Sequence, residues 1–287
     1  MILTKPPKII KLNKHTPSKN KDWNLTMKYI ILIILLITPT YAQNQIDTLL
    51  KNTLVIIDAG HGGKDPGAST TYNGNIIWED EYAYDIGLKL KNQIEACGGK
   101  ALMTVIDINQ PAFHTNQEIL PLTYGEIFAF DSSLVTADST GLQKRCQFGN
   151  LQLKKFPKTT IVWISIHLDI AADSATQGVM IIAPDTNSLL AKNFRDVFAK
   201  NNLLRDSCSL VKNKDRPCRI RNLHVLRTNN KIKDRIFLEL GNMLNKYDLS
   251  LIISEQGRNN YVHHLMNGLQ NFLITKQFLT KLKSGSE

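Results

Sequence analysis

The sequence predicts an α/β fold: a single domain around a mostly parallel, twisted sheet of about six strands, with helices on both faces. Three observations lead there. Short, continuous apolar runs end in turns rich in Gly or Pro, as strands buried on both faces do. Between them lie stretches with an apolar residue every three or four positions, as amphipathic helices have. Their alternation implies helices packed on both sides of one sheet, whose ligands bind where strands run out into loops.

The first 42 residues stand apart. They hold seven of the 35 basic residues and one of the 25 acidic ones. The rest of the chain, with 28 basic and 24 acidic residues, carries +4 of the overall +10. That balance, with no nucleic-acid motif, argues against a nucleic-acid partner. Lys28 precedes an apolar run over 29–37, and Pro39-Thr-Tyr-Ala42 follows with small residues at the positions a signal peptidase reads. This is the order of a secretory signal. Residues 1–42 are therefore expected to be a leader and signal peptide, with 27–42 the signal core and Met27 a candidate start. A folded domain, exported to the periplasm or cell exterior, is expected over 43–287, with an insertion over 105–141. An uncleaved membrane anchor is the alternative, although the run is shorter than the ~20 residues of a comfortable span. No cysteine directly follows the run, which argues against a lipid anchor.

The elements follow in order. Leu54-Val-Ile-Ile-Asp58 is a buried strand ending in a Gly-rich turn. Tyr82, Ile86, Leu90 and Ile94 form one face of a helix, and Gly98-Gly99 ends it by supplying positive φ. Residues 101–106 read as a second strand and 159–167, with Trp163, as a third. Residues 178–183, stopped by Pro184, make a fourth. Leu190, Phe194, Val197 and Phe198 mark a helix over 187–202. Residues 222–227 and 236–240 read as two more strands. A closing helix over 258–282 carries Val262, Leu265, Met266, Leu269, Phe272 and Leu273. Residues 105–141 break the pattern, with five acidic residues, no Lys or Arg and no clear period. Such a stretch inside a compact domain is a functional flap or a disordered insertion.

Of the four cysteines, Cys208 and Cys218 enclose a short polar loop and are the expected disulfide of an exported chain. Buried free thiols are the alternative for Cys97, Cys146 and this pair. Their spacing does not suit a zinc ribbon.

Three candidate metal ligands sit at or near strand ends. His61 follows the first strand, in Asp58-Ala-Gly-His-Gly-Gly-Lys-Asp-Pro-Gly-Ala68. His167 ends the third strand, and Glu79 precedes the first helix in Trp78-Glu-Asp-Glu-Tyr82. Two imidazoles and one carboxylate are a common set for catalytic zinc, with the fourth position left to water. Each residue also has an ordinary role open to it. The histidines could be surface residues, and Glu79 a carboxylate favouring the helix dipole.

Residues 57–68 resemble the opening motif of the zinc-dependent N-acetylmuramoyl-L-alanine amidases of the amidase_3 type, and the resemblance runs through most of 54–275. Glu79 to Leu90 is similar to that family's Glu-Lys-x-x-x-Leu helix start. Arg145 resembles the arginine before the third strand. Trp163-Ile-Ser-Ile-His167 is similar to its Ser-Ile-His motif, and Phe237-Leu-Glu-Leu-Gly241 to its late Leu-x-Glu-x-Gly motif. The resemblance implies Zn2+ held by His61, Glu79 and His167, with Glu239 as the catalytic glutamate. Glu81 rivals Glu79, but Glu79 keeps the family's spacing to Asp85-Ile-Gly-Leu88. The implied reaction is hydrolysis of the amide between N-acetylmuramic acid and L-alanine in peptidoglycan, serving cell-wall remodelling or daughter-cell separation. Glu239 would move the proton as general base and then acid.

The chain departs from the family in places. Asp169 stands where an Asn is usual, which bears on substrate grip or on hydrogen bonding behind the ligands. Arg145 is placed in the same substrate or supporting role. Residues 229–234 replace a proline-led approach to the last motif, Gly241-Asn242 stands for a common Gly-Phe, and 105–141 is longer than the usual connection. That insertion reads either as a disordered or packing insertion, or as a lid with Glu118 or Glu126 at the metal's open position, or as a surface on which an activator protein acts. Two other readings remain: a non-catalytic peptidoglycan-binding or regulatory module, and a zinc hydrolase acting on another wall substrate.

Overall fold

In the computed structural model, residues 27–29, 48–110, 116–205, 219–227 and 229–284 are described. The chain divides into Met1–Gln45 and Ile46–Glu287, and the fold below is that of the second unit. Cys208, Cys218 and most of the expected signal segment lie outside the described residues. No described helix is long and apolar enough to cross a membrane.

The strands are β1 (Thr53–Ala59), β2 (Ser69–Tyr72), β3 (Asn75–Trp78), β4 (Lys100–Met103), β5 (Val105–Asp107), β6 (Glu126–Phe128), β7 (Thr160–Asp169), β8 (Met180–Ala183), β9 (Arg219–Ile220) and β10 (Asp234–Asn242). The helices are α1 (Glu79–Ala96), α2 (Ser139–Lys155), α3 (Leu189–Lys200), α4 (Lys246–Ile253) and α5 (Glu255–Ser284). Six strands form one sheet in the order β4-β1-β7-β10-β8-β9. It is parallel except where β8 pairs antiparallel with β10. Hairpins β2–β3 and β5–β6 stand outside it. This is the α/β architecture that the sequence predicts.

Alternating residues of β1 explain its unbroken apolar run. Val55 and Ile57 join the larger core, with Tyr82, Ile86, Leu90 and Ile94 of α1, Phe194 of α3, and Leu265 and Leu269 of α5. Leu54 and Ile56 face the other side, with Trp163, Ile182 and Phe237 and with Cys146 of α2. Burying one such aliphatic side chain contributes ~1.5–3 kcal/mol, so both faces fix the register. At the end of α1, Gly98 adopts φ +78° and Gly99 N–H donates back to the Ile94 carbonyl at 3.0 Å. A buried ion pair links the two long helices: Arg258 Nε donates to Asp85 Oδ2 at 2.7 Å. Breaking such a pair leaves a stranded charge and costs ~3–5 kcal/mol.

Two expectations need correction. Residues 222–227 are not a strand. His224–Leu226 is a 3-10 turn closed by Leu226 N–H to the Leu223 carbonyl, and Val225 and Leu226 pack on the α2 side of the sheet. The sixth strand is instead the short β9, just upstream. Residues 101–106 are not one strand either. The chain breaks at Thr104, whose hydroxyl turns inward to Asp58 Oδ1 at 2.6 Å, and β5 leaves to pair with β6.

Candidate metal centre and active site

β1 and β7 run parallel and in register from Thr53↔Thr160 to Ala59↔Ile166, so their ends deliver His61 and His167 to one rim of the sheet. β10 lies on the other side of β7, with Glu239 opposite His167. α1 begins at the same rim, which brings Glu79 in as its first residue. Convergence of these four residues thus follows from strand register and the start of a single helix.

Glu79 is buried between the histidines. Its Oε2 lies 3.2 Å from His61 Nε2 and its Oε1 lies 3.0 Å from His167 Nδ1. Two ligand bonds of ~2.0–2.1 Å at a tetrahedral angle would place donor atoms about 3.3 Å apart, so these spacings suit three donors around one ion. One donor atom from each of the three residues falls within 4.8 Å of the others. The carboxylate is also held by backbone amides, from Ala68 to Oε2 at 2.9 Å and from Leu168 to Oε1 at 3.0 Å. Burial alone would raise its pKa. The two histidines outweigh that and hold it well below the usual carboxylate range.

His61 takes a left-handed conformation, φ 61°, which costs a non-glycine residue about 1 kcal/mol or more. Its Nδ1 is paired with Asp65 Oδ2 at 2.9 Å, so Nε2 is the nitrogen that faces Glu79. Asp65 is a supporting residue that the sequence reading missed. A carboxylate behind a histidine fixes which ring nitrogen is free to ligate. Burial disfavours charge on His61, but Asp65 and Glu79 together push its pKa up to about 10. His167 stacks on Phe237, with ring centroids 4.2 Å apart, and burial lowers its pKa. Gly60 makes room for the His167 ring, since a Cβ there would lie 2.3 Å from Cε1.

Arg145 sits behind the loop. It donates to Asp58 Oδ1 at 2.9 Å, to the Ala59 carbonyl and to the His61 carbonyl. Asp58 Oδ2 accepts from Ser165 Oγ at 2.7 Å, and Ser165 accepts from Trp163 Nε1 at 2.8 Å. Arg145 therefore braces the backbone that carries His61, and it also lines the cleft there with His61, Asp65, His167 and Phe237. Asp169 Oδ2 accepts from Arg205 Nη1 at 2.6 Å. Nothing in the sequence marked Arg205, a buried arginine in a connecting segment.

Glu239 has an Oε2 that is out of solvent and without a hydrogen-bond partner among the described residues. Burial first, and then the charges of Glu79 and Asp169, push its pKa up to about 8. Such a carboxyl can hold and release a proton near neutral pH.

Neither Glu118 nor Glu126 plugs the site. Glu126 turns to the Gly63 amide, 2.7 Å from its Oε2, and to Thr123 Oγ1. Glu118 is exposed, and its carbonyl accepts from the Tyr82 hydroxyl at 2.6 Å. Thr136 and Ala137 of the insertion line the cleft, together with Leu142 of α2 and Leu223–Val225. The stretch is thus a buttress and side wall in this conformation. Glu81, the rival for Glu79, faces away, accepting from the Thr123 amide.

A strand-end His, a helix-start Glu and a second strand-end His form a candidate metal site on an α/β sheet, with a glutamate on the neighbouring strand. The family profile described as N-acetylmuramoyl-L-alanine amidase matches residues 55–271. The chain belongs to the N-acetylmuramoyl-L-alanine amidase family. Solved structures share its fold. It is similar to the CwlD amidase from Clostridioides difficile in complex with the GerS lipoprotein (20% identity, TM-score 0.54, covering 78% of this chain and 100% of that one). It is similar also to the catalytic domain of CwlV from Bacillus (Paenibacillus) polymyxa var. colistinus (21%, 0.52, 77% and 98%) and to AmiC2 of Nostoc punctiforme (23%, 0.51, 77% and 97%). No curated protein sequence matches significantly.

The buried charges set how metal-free protein responds to pH. Burial lifts Asp80 to about 8 and Glu81 to about 7, alongside Glu239 at about 8. In the unfolded chain these groups release protons near 3.8–4.5. Between about pH 5 and 8 the folded state therefore binds more protons, and stability falls as pH rises. The raised His61 adds to the fall above 6.5, while His167, held neutral, opposes it with one proton. Below about 4.5 the depressed Glu79 reverses the trend. Urea midpoints of chelator-treated protein should drop from pH 5 to 8, less steeply in Glu239→Gln. Midpoints that climb over that range would contradict this charge assignment.

Proposed function

We propose that this chain is a zinc-dependent hydrolase of the amide between N-acetylmuramic acid and L-alanine in peptidoglycan. The observation that carries the reading is the convergence of His61, Glu79 and His167 near a Glu239 carboxyl whose buried Oε2 has no partner among the described residues. In this reading His61 Nε2, Glu79 and His167 Nδ1 hold Zn2+, and the spacing and chemistry of the donors suit that ion. Zinc, when bound, polarises the scissile carbonyl and lowers the pKa of the attacking water from ~15.7 toward ~7.

The chain's own residues do the rest. Glu239 takes a proton from the attacking water as its oxygen bonds to the carbonyl carbon. It returns that proton to the amide nitrogen as the carbon–nitrogen bond breaks. The products are a free carboxyl on the muramic acid side and a free alanine amine. Asp65 holds His61 in the ligating tautomer, and Arg145 holds the His61 backbone. Asp169, paired with Arg205, adds negative charge near Glu239 and strengthens its hold on the proton that it takes from water. With His167→Ala, Zn2+ content should fall well below one per chain. In Glu239→Gln, zinc and folding should persist while turnover of a soluble muropeptide falls ~100-fold or more. Full turnover in zinc-loaded Glu239→Gln would remove Glu239 from the proton path.

Export follows from the signal-like order over 27–42 and from the location of the wall substrate. Amino-terminal sequencing of the protein recovered outside the cytoplasm should begin at residue 43, whereas recovery of the intact leader would favour an anchor.

We also assign an activating partner to the insertion. Its stretch is acidic, and Ile106, Ile108, Tyr124, Phe130 and Leu134 are exposed on it; clustered exposed apolar residues mark interaction surfaces. The similar CwlD structure was solved with a lipoprotein bound. Replacing Ile108 and Tyr124 with Ser should abolish stimulation by such a partner and leave the basal rate unchanged. Undiminished stimulation would place the partner elsewhere.

A further inference from the structure

A second set of candidate ligands lies one residue further along α1. Asp80, Glu81 and, from β6, Glu126 bring one carboxylate oxygen each to within 4.8 Å of one another. They are 2%, 1% and 3% exposed. Asp107 of β5 is buried beside them, linked through Thr123, whose hydroxyl contacts both Glu126 Oε1 at 2.5 Å and Asp107 Oδ2 at 3.4 Å. The ion pairs among the described residues involve none of the three clustered carboxylates. The telling atom is Asp80 Oδ2. Asp80 Oδ1 accepts from the Glu81 amide at 2.9 Å, but Oδ2 is out of solvent with no partner among the described residues.

Burying several carboxylates together is costly unless a positive group or protons compensate. The donors are all oxygens, with a hydroxyl beside them and no nitrogen or sulfur. That set suits hard cations such as Ca2+, Mg2+ or Mn2+ rather than zinc. We propose that Asp80, Glu81 and Glu126 form a binding site for a hard divalent cation, separate from the His61–Glu79–His167 group. The ion clamps the β5–β6 hairpin onto the first turn of α1. Glu126 also accepts from the Gly63 amide at 2.7 Å, so the clamp extends to the loop that carries His61. Its role is to hold the insertion against that loop, and it does not depend on which reaction the neighbouring site performs.

The test uses the full chain, stripped with chelator and melted with and without added Ca2+, Mg2+ or Mn2+. A saturating ion of this class should raise the melting temperature by about 5 °C or more. Asp80→Asn and Glu126→Gln keep side-chain size and should weaken that response at least tenfold in ion concentration. His167→Ala should keep it. Absence of any response to the three ions in wild-type protein would overturn the proposal. So would a response undiminished in both carboxamide variants, or one lost only with His167. A stripped Glu126→Gln protein more stable than a wild type that ignores the ions would show that the cluster holds protons instead.

Discussion

The site is organised around one buried carboxylate. Glu79 is surrounded by two imidazoles and two backbone amides that belong to the loop after β1 and to the end of β7. A buried charge is tolerated only when its lone pairs are met, so these partners must assemble together. Gly67 shows how tight the assembly is. It adopts φ +70°, and a Cβ there would lie 2.7 Å from Glu79 Oε2. The glycine-rich loop is shaped by the carboxylate it surrounds.

Support behind this centre is polar and layered. Asp58, at the end of β1, gathers Arg145, Thr104 and Ser165, and Ser165 connects to the buried Trp163. A fully satisfied buried network is rigid. Its output is the position of the His61 carbonyl, fixed by Arg145. On the outer side, Glu126 and Val135 of the insertion hold Gly63 and Lys64 by their amides. The loop is thus fastened from the sheet and from the insertion, which offsets the strain of a left-handed His61.

Much of this was legible in the sequence because it rests on periodicity and on order. The apolar runs of β1 and β7 and the face of α1 announce buried strands and a helix. The order of His61, Glu79, His167 and Glu239 resembles a family motif set. Other parts left no such trace. The inner face of α2 consists of Gly141, Arg145, Cys146, Gly149 and Gln152, too small and polar to give a hydrophobic period. Strands β5 and β6 span three residues each and rely on pairing rather than pattern. The 3-10 turn at His224–Leu226 buries two aliphatic residues much as a strand would, and so imitates one. Arg205 acts through Asp169, 36 residues away, which no local spacing encodes, and Asp65, four residues from His61, meets it only because the loop turns.

The central claim is that His61 Nε2, Glu79 and His167 Nδ1 converge on a single zinc ion with Glu239 beside it. Anomalous diffraction at the zinc edge, from crystals of zinc-loaded protein, tests it most directly. The account predicts one strong peak ~2.0–2.2 Å from those two nitrogens and a Glu79 oxygen, with the Glu239 carboxyl free of the inner ligand set. A peak held by other residues, or a zinc ion lacking either histidine, would contradict it.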